Sequence, residues 1–237
     1  DGANSPLRRK LGIPVDSVDY QQSALIANVR ITDNSTGWAY ERFTAGGPLA
    51  LLPLPGKRYA MVWTHDNRQI EARMALSDEQ LLQQLHDSFG YRLGEFSGIG
   101  VRARFDLKLT RAQQLSSGRC ILIGNAANSL HPVAGQGFNL ALRDIGQLYD
   151  CLQDVDLDAP SLADHLQSYQ QLRLADQQQT VGFGHGLVSL FSNNLPILNH
   201  LRGGALAALD ITPVLKREVG WLGMGYAAGC SSLMRGG

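Results

Sequence analysis

The sequence predicts an α+β fold, with an antiparallel β-rich first half followed by a short buried strand, a glycine loop and helices. Three observations carry that prediction. Residues between Leu25 and Leu109 fall repeatedly into two-residue alternation, Cys120-Ile121-Leu122-Ile123 is a wholly apolar run closed by Gly124, and helical spacing takes over after Gly137. The chain of 237 residues is long enough to bury a sizeable core in one large or two modest domains.

Leu25, Ala27, Val29 and Ile31 share one face of the first strand, with Asn28 and Arg30 on the other. Trp38–Thr44 forms a second candidate strand. Leu49–Leu54 and Tyr59–Thr64 form a hairpin around Pro55-Gly56-Lys57. Ser77 and Gln80 make a capping box for a helix bearing Leu81, Leu82, Leu85 and Phe89, and Gly90 stops it. Val101, Ala103, Phe105, Leu107 and Leu109 alternate with charged residues, predicting another half-buried strand. Cys120–Ile123 reads as a buried strand, with a parallel partner as one option. A helix follows from about Gly137 to Leu152, with Leu148 and Leu152 at helical spacing. Ser161 and Asp164 then open a long helix whose apolar face carries Leu162, Leu166, Tyr169 and Leu172, with Gln177–Gln179 on its solvated side. Leu195–Leu209 reads as one more helix, either core, interface or membrane-surface.

Composition excludes several functions. With 21 basic and 21 acidic residues, the chain has no basic excess for nucleic-acid binding. Three cysteines without close spacing argue against a disulfide framework, and six scattered histidines against zinc. No apolar run approaches roughly 18 residues. The nearest dinucleotide pattern, Gly223-Met224-Gly225-Tyr226-Ala227-Ala228, leaves only nine residues after it, too few for a βαβ unit.

The stretch Gly124-Asn125-Ala126-Ala127-Asn128-Ser129-Leu130-His131-Pro132-Val133-Ala134-Gly135-Gln136-Gly137-Phe138-Asn139 carries the chemistry. It reads as strand, tight turn, glycine loop and helix N-terminus. That arrangement leaves backbone N–H groups and the positive end of a helix dipole facing a flat or anionic ligand. The stretch resembles the second FAD-binding motif of the aromatic-hydroxylase class of flavin monooxygenases. Asp1-Gly2-Ala3-Asn4-Ser5 with Arg8 resembles that class's Asp-Gly motif, which touches flavin and pyridine nucleotide. Tyr40–Thr44, Gly47–Pro53, Val62-Trp63 and Arg143-Asp144 extend the resemblance to the ubiquinone-biosynthesis FAD-dependent aromatic hydroxylase family. Within it, the 2-polyprenyl-6-methoxyphenol hydroxylases are the nearest in pattern.

The resemblance implies an FAD/NAD(P)-binding aromatic-hydroxylase fold. It places a remnant of the FAD domain at 1–21, a β-rich substrate domain at 22–110, a returning FAD-domain segment at 111–155 and a C-terminal helical region at 156–237. It implies cofactor contacts from Asp1, Gly2, Gly124, Asn125, Pro132, Gly135, Gln136, Gly137 and Asn139. Asn125 stands where most of the class has Asp, keeping a hydrogen-bonding group without the charge. Leu49, Leu51, Leu52 and Trp63 are candidates for an apolar wall along a polyprenyl tail. His131, beside the flavin loop, is a candidate hydrogen-bonding group.

The implied activity is FAD-dependent hydroxylation of a polyprenylated methoxyphenol through a flavin C4a-hydroperoxide. NAD(P)H is the implied reductant, O2 and a lipidic phenol the co-substrates, and no metal is implied. Location is expected to be cytoplasmic, with peripheral membrane contact and contact with other ubiquinone-biosynthesis proteins as further options. The class carries a strand–GxGxxG–helix unit for the ADP half of FAD ahead of these motifs. No such unit occurs in these 237 residues, so the chain is expected to be a C-terminal fragment that binds FAD weakly and is inactive alone. The alternatives are a non-catalytic lipid- or partner-binding module of the same fold, or a hydroxylase of a non-prenylated phenol.

Overall fold

The computed structural model describes residues 1–33, 37–44, 46–130, 135–191, 211–224 and 231–235. These divide into two compact units. The first is built on Asp1–Val18 and Lys108–Leu190 with the C-terminal helices, and the second on Asp19–Leu107.

The second unit is an antiparallel sheet with helices on one face. Its long strand β1 (Val15–Ile31) pairs with β4 (Arg58–Asp66) in the register Leu25↔Trp63 and Ala27↔Met61. β4 pairs with β3 (Gly47–Leu54), and β3 with β2 (Tyr40–Thr44). Gly56, at φ +67, turns the β3–β4 hairpin where a side chain would be strained. Directly opposed residues share a face, so Leu25, Leu49, Leu51, Met61 and Trp63 form one apolar layer. That layer is covered by α2 (Asn67–Met74), through Ile70, and by α3 (Asp78–Phe89), through Leu81, Leu85 and Phe89. The capping box of Ser77 and Gln80 is present with both of its bonds, and Gly90 ends α3 at φ +83. The opposite face, with Ile26, Ala50, Leu52, Ala60 and Val62, is half-buried to exposed.

The structure corrects four local expectations. Trp38 is exposed and the strand begins at Tyr40. Helix α2 was not anticipated; its start is signalled by Asp66, whose carboxylate accepts from the Arg68 N–H at 2.8 Å. The strand predicted from Val101 runs as β6 (Ala103–Ala112), with β5 (Phe96–Ile99) before it. Val101 and Phe105 are exposed, and Arg104 instead binds Glu71, Asp106 and Ser23. The alternation in β6 therefore separates two accessible faces over Arg104–Asp106, and within the strand only Leu107 and Ala112 are buried.

In the first unit, Cys120–Ile121 (β8) pairs antiparallel with Ser116–Ser117 (β7) through the Gly118-Arg119 turn. The apolar run is thus a short hairpin arm, because its nearest preceding strand folds back onto it. Asn128–Ser129 (β9) pairs with Arg111 and Thr110 of β6. Helix α1 (Pro6–Lys10), α4 (Gln136–Leu152), α5 (Leu162–Phe191), α6 (Pro213–Met224) and α7 (Ser232–Arg235) complete the unit. Leu162, Leu166 and Tyr169 of α5 are buried as expected, but Leu172 is exposed and Gln177 is buried. The buried stripe continues instead through Arg173, Asp176, Gln177 and Thr180, where polar partners on α4 satisfy it. Gly182 lies within α5, so the Gly182–Gly186 stretch is helical backbone. The predicted helix Leu195–Leu209 and residues Gly225–Ala228 lie outside the described residues.

His65, fully buried on β4 against Trp63, has neither ring nitrogen hydrogen-bonded. Burial first, and the Arg73 charge second, push its pKa down to about 3. The unfolded chain takes up this proton below about pH 6.5, whereas the folded chain resists until about pH 3. Stability is therefore intact above pH 6.5 and falls with pH across that window, by up to about 1.4 kcal/mol per pH unit. Urea titrations at pH 7 and pH 4.5 should show a smaller acid-induced loss in His65→Leu than in the wild type.

Candidate active site

The site is assembled around Arg8. Ser5 caps α1, its Oγ accepting from the Arg8 N–H at 3.1 Å and donating to Asp1 Oδ2 at 2.9 Å. Arg8 is thereby turned inward and buried. Its Nη2 donates to the Ala3 carbonyl and its Nη1 to the Ala126 carbonyl, each at 2.7 Å. One guanidinium so joins the Asp1–Ser5 segment to the Gly124–Ala126 turn, 118 residues away in sequence. Among the described residues no carboxylate pairs with Arg8, so its charge is met by carbonyl dipoles alone.

The Gly124–Ala126 turn is a single 3₁₀ turn in which Gly124 takes φ +59 and its carbonyl accepts from the Ala127 N–H at 3.0 Å. A Cβ at Gly124 would lie 3.9 Å from that of Ala141, so the turn packs on α4. Asn125 is exposed at its tip. Helix α4 begins after Gly135, a left-handed N-cap at φ +60 that supplies no side-chain cap. Glycine at this position offers the opening N–H groups no side-chain oxygen of its own. A Cβ at Gly135 or Gly137 would meet nothing within 4 Å, so both glycines border open space. Gln136 is buried between them, and Asn139 is half-buried one turn on. Pro132 and His131 lie outside the described residues.

Behind this helix end, α4 is locked to α5 by buried charges. Arg143 binds Asp176 through Nε at 3.0 Å and Thr180 through Nη2 at 2.9 Å. Arg173 binds Asp144 at 2.8 Å and Asp176 at 2.5 Å. Burial raises the Asp144 carboxyl above its ordinary value, with Arg173 opposing the shift. Composition and periodicity did not find this network, since its members look like solvated helix residues. The Arg143-Asp144 pair in the motif was its only trace.

The arrangement fits a flavin: a helix N-terminus with glycine as its N-cap, two glycines with room for a planar ring, and a buried cation with no carboxylate partner among the described residues. A model of the FAD-binding domain family matches residues 1–183. The chain belongs to that family. It is 35% identical over 222 residues to ubiquinone hydroxylase UbiL of Rhodospirillum rubrum, covering 92% of this chain and 51% of the relative. It is 33% identical over 220 residues to 3-demethoxyubiquinol 3-hydroxylase of Escherichia coli, covering 92% of this chain and 56% of the relative. The chain thus spans about half the length of these curated relatives. Among solved structures, Klebsiella pneumoniae HpxO complexed with FAD and uric acid shares the fold at TM-score 0.71 and 18% identity. That match covers 97% of this chain and 59% of the other.

Asp1, Gly2, Gly124, Asn125, Gly135, Gln136, Gly137 and Asn139 are thus all placed in the first unit, on the Arg8-linked segments and the start of α4. The four proposed wall residues do not share a surface. Leu49, Leu51 and Trp63 are buried under α2 and α3, while Leu52 is exposed on the opposite face. The period of two separates Leu51 from Leu52.

Replacing Arg8 by Ala leaves the Ala3 and Ala126 carbonyls without their donor. The expected loss is about 1.5–3 kcal/mol in urea unfolding, together with weaker flavin binding by fluorescence quenching. Gly135→Ala should cost about 1 kcal/mol from its left-handed backbone and weaken flavin binding too.

Proposed function

We propose that this chain supplies the flavin-ring site and the substrate-facing sheet of an FAD-dependent hydroxylase of ubiquinone biosynthesis. Its substrate is a polyprenylated methoxyphenol and its reductant NAD(P)H. The observation that carries the reading is the glycine-bordered start of α4 at Gly135–Gly137, with the helix packed beside the Arg8-held turn, in a chain of the FAD-binding domain family. The printed functions of the Rhodospirillum and Escherichia relatives support the pathway.

When bound, the flavin supplies the redox and oxygen chemistry. The chain's own residues hold and polarise it. Backbone N–H groups at the start of α4 donate to an anionic ring edge, and the helix dipole adds to them. Gly135 and Gly137 keep side chains off the ring, and Gly124 with Asn125 meets the ribityl chain. Arg8 positions the Gly124 turn and adds positive potential. The open face of the sheet provides the apolar surface for substrate. Ile26, Val62 and Ala50 form one row in register, and Asn28, Ala60 and Leu52 the next. This face is the accessible one, unlike the Leu49–Leu51–Trp63 layer.

Two measurements test the reading. The purified chain should bind riboflavin and FAD with affinities within about threefold, since its contacts lie at the ring and ribityl end. A strong preference for FAD would show that the chain also holds the ADP half, and would overturn the division of labour. In the assembled enzyme, Leu52→Asp should raise KM for a prenylated methoxyphenol while shifting stability by less than about 0.5 kcal/mol. Leu51→Asp should instead prevent stable folding, because it buries an unpaired charge. Turnover of only non-prenylated phenols would reassign the substrate, and absence of any NAD(P)H- and O2-dependent hydroxylation would overturn the activity.

A further inference from the structure

The open face of the sheet ends in a cluster of cations. β1 and β4 are in register at Arg30↔Arg58, and Arg58 is in register with Leu54 of β3. Alternation puts these three on the same face as Asn28, Ala60 and Leu52 of the preceding row. Lys57 joins them, its Nζ donating to the Thr32 carbonyl at 2.7 Å. Arg30, Lys57 and Arg58 are exposed, and among the described residues none of them pairs with a carboxylate. Nearby Asp33 packs instead against Gly94, where a Cβ would lie 2.6 Å from its carboxyl carbon. Glu95 bonds Thr32 through its backbone and pairs with none of the three. Like charges directly opposed across two strands cost stability. Charges also protect sheet edges, but here β4 lies between β1 and β3, and Arg30 faces Gly98 of β5 on its other side. The pair therefore guards no edge. An anion seated between the two guanidiniums reverses the cost, because their forked donors match phosphate oxygens.

We propose that this end of the sheet is a phospholipid headgroup site, by which the chain sits on an anionic membrane surface. It rests on the function given above for one point: a polyprenylated substrate dissolves in lipid and has to pass from a bilayer to the open face. A bilayer is the occupant because the site is two-sided in its chemistry. Leu52, 44% exposed, and half-buried Leu54 lie beside the arginines. An apolar strip thus adjoins three cations, as acyl chains adjoin phosphates. The attraction is local, since the chain as a whole balances 21 basic against 21 acidic residues. Contact is also at the surface, for no helix among the described residues is long and apolar enough to cross a membrane.

The test is co-sedimentation of the 237-residue chain with phosphatidylcholine vesicles made with and without phosphatidylglycerol. Binding should appear with phosphatidylglycerol and fall as salt rises from about 0.1 to about 1 M. Arg30→Gln/Arg58→Gln should weaken it about 25-fold, at about fivefold per cation near an anionic leaflet. Arg9→Gln/Lys10→Gln, which removes two exposed cations of α1, should weaken it less than about twofold. Arg30→Gln alone should melt at or above wild type, because it removes the opposed pair. A clear drop in its melting temperature would make the pair structural and overturn the proposal. An equal loss in the α1 variant would show that only net charge is read, and undiminished binding by the double variant would put the contact elsewhere. Release of the chain by millimolar inorganic phosphate at constant ionic strength would make the ligand free phosphate. No binding by wild type, or salt-insensitive binding to phosphatidylcholine alone, would remove the headgroup contact. Each of these results overturns the proposal. Vesicle binding needs neither flavin nor phenol, so absent hydroxylation with vesicle binding retained overturns the proposed function and leaves the site standing.

Discussion

The first unit depends on a single buried guanidinium. Arg8 donates at once to the Ala3 and Ala126 carbonyls, so two segments far apart in sequence are held by one planar group. A buried cation is costly to desolvate, and charge-assisted bonds to two fixed carbonyls are what offset that cost here. The fork geometry matters as much as the charge. A lysine would present one ammonium with no fixed pair of directions, and could not set the spacing of both segments. Everything that makes the cradle usable follows from that spacing: the exposed tip at Asn125, the packing of Gly124 on α4, and the open glycines at the helix start.

Helix α4 transmits this arrangement inward. Its N-terminus has no side-chain cap and so is locally weak, yet it must stay in place to serve a ligand. The Arg143–Asp176 and Arg173–Asp144 pairs hold its middle against α5, with further bonds from Arg143 to Thr180 and from Gln177 to Asp144. Such a network adds little net stability over a packed apolar layer, but it penalises any other register strongly, because each misplaced charge would be buried unpaired. Registration of α4 thus rests on polar groups buried alongside Leu140.

Local signals in the sequence were read correctly where one residue's conformation decides the outcome. The Ser77–Gln80 box, the Gly56 turn, the Gly90 stop and the alternation from Leu25 to Ile31 all appear in the structure, since each needs only its immediate neighbours. The expectations that failed depended on what lies across from a residue. Phe105 alternates like a core strand but β6 exposes it, and Gln177 looks solvated but faces Asp144. Leu51 and Leu52 are chemically alike and adjacent, and only the cover of α2 and α3 over one face separates core from open surface.

By itself the sequence determined the α+β class and the strands and caps of the sheet, because glycine placement, capping chemistry and periodicity act over a few residues; the Asp1–Ser5 and Gly124–Asn139 segments stood out by their resemblance to a family. Tertiary structure alone decided that Arg8 joins those segments and that a charge network fixes α4. Those features depend on pairings between segments up to 118 residues apart, where burial and partner identity, not local propensity, set the energy.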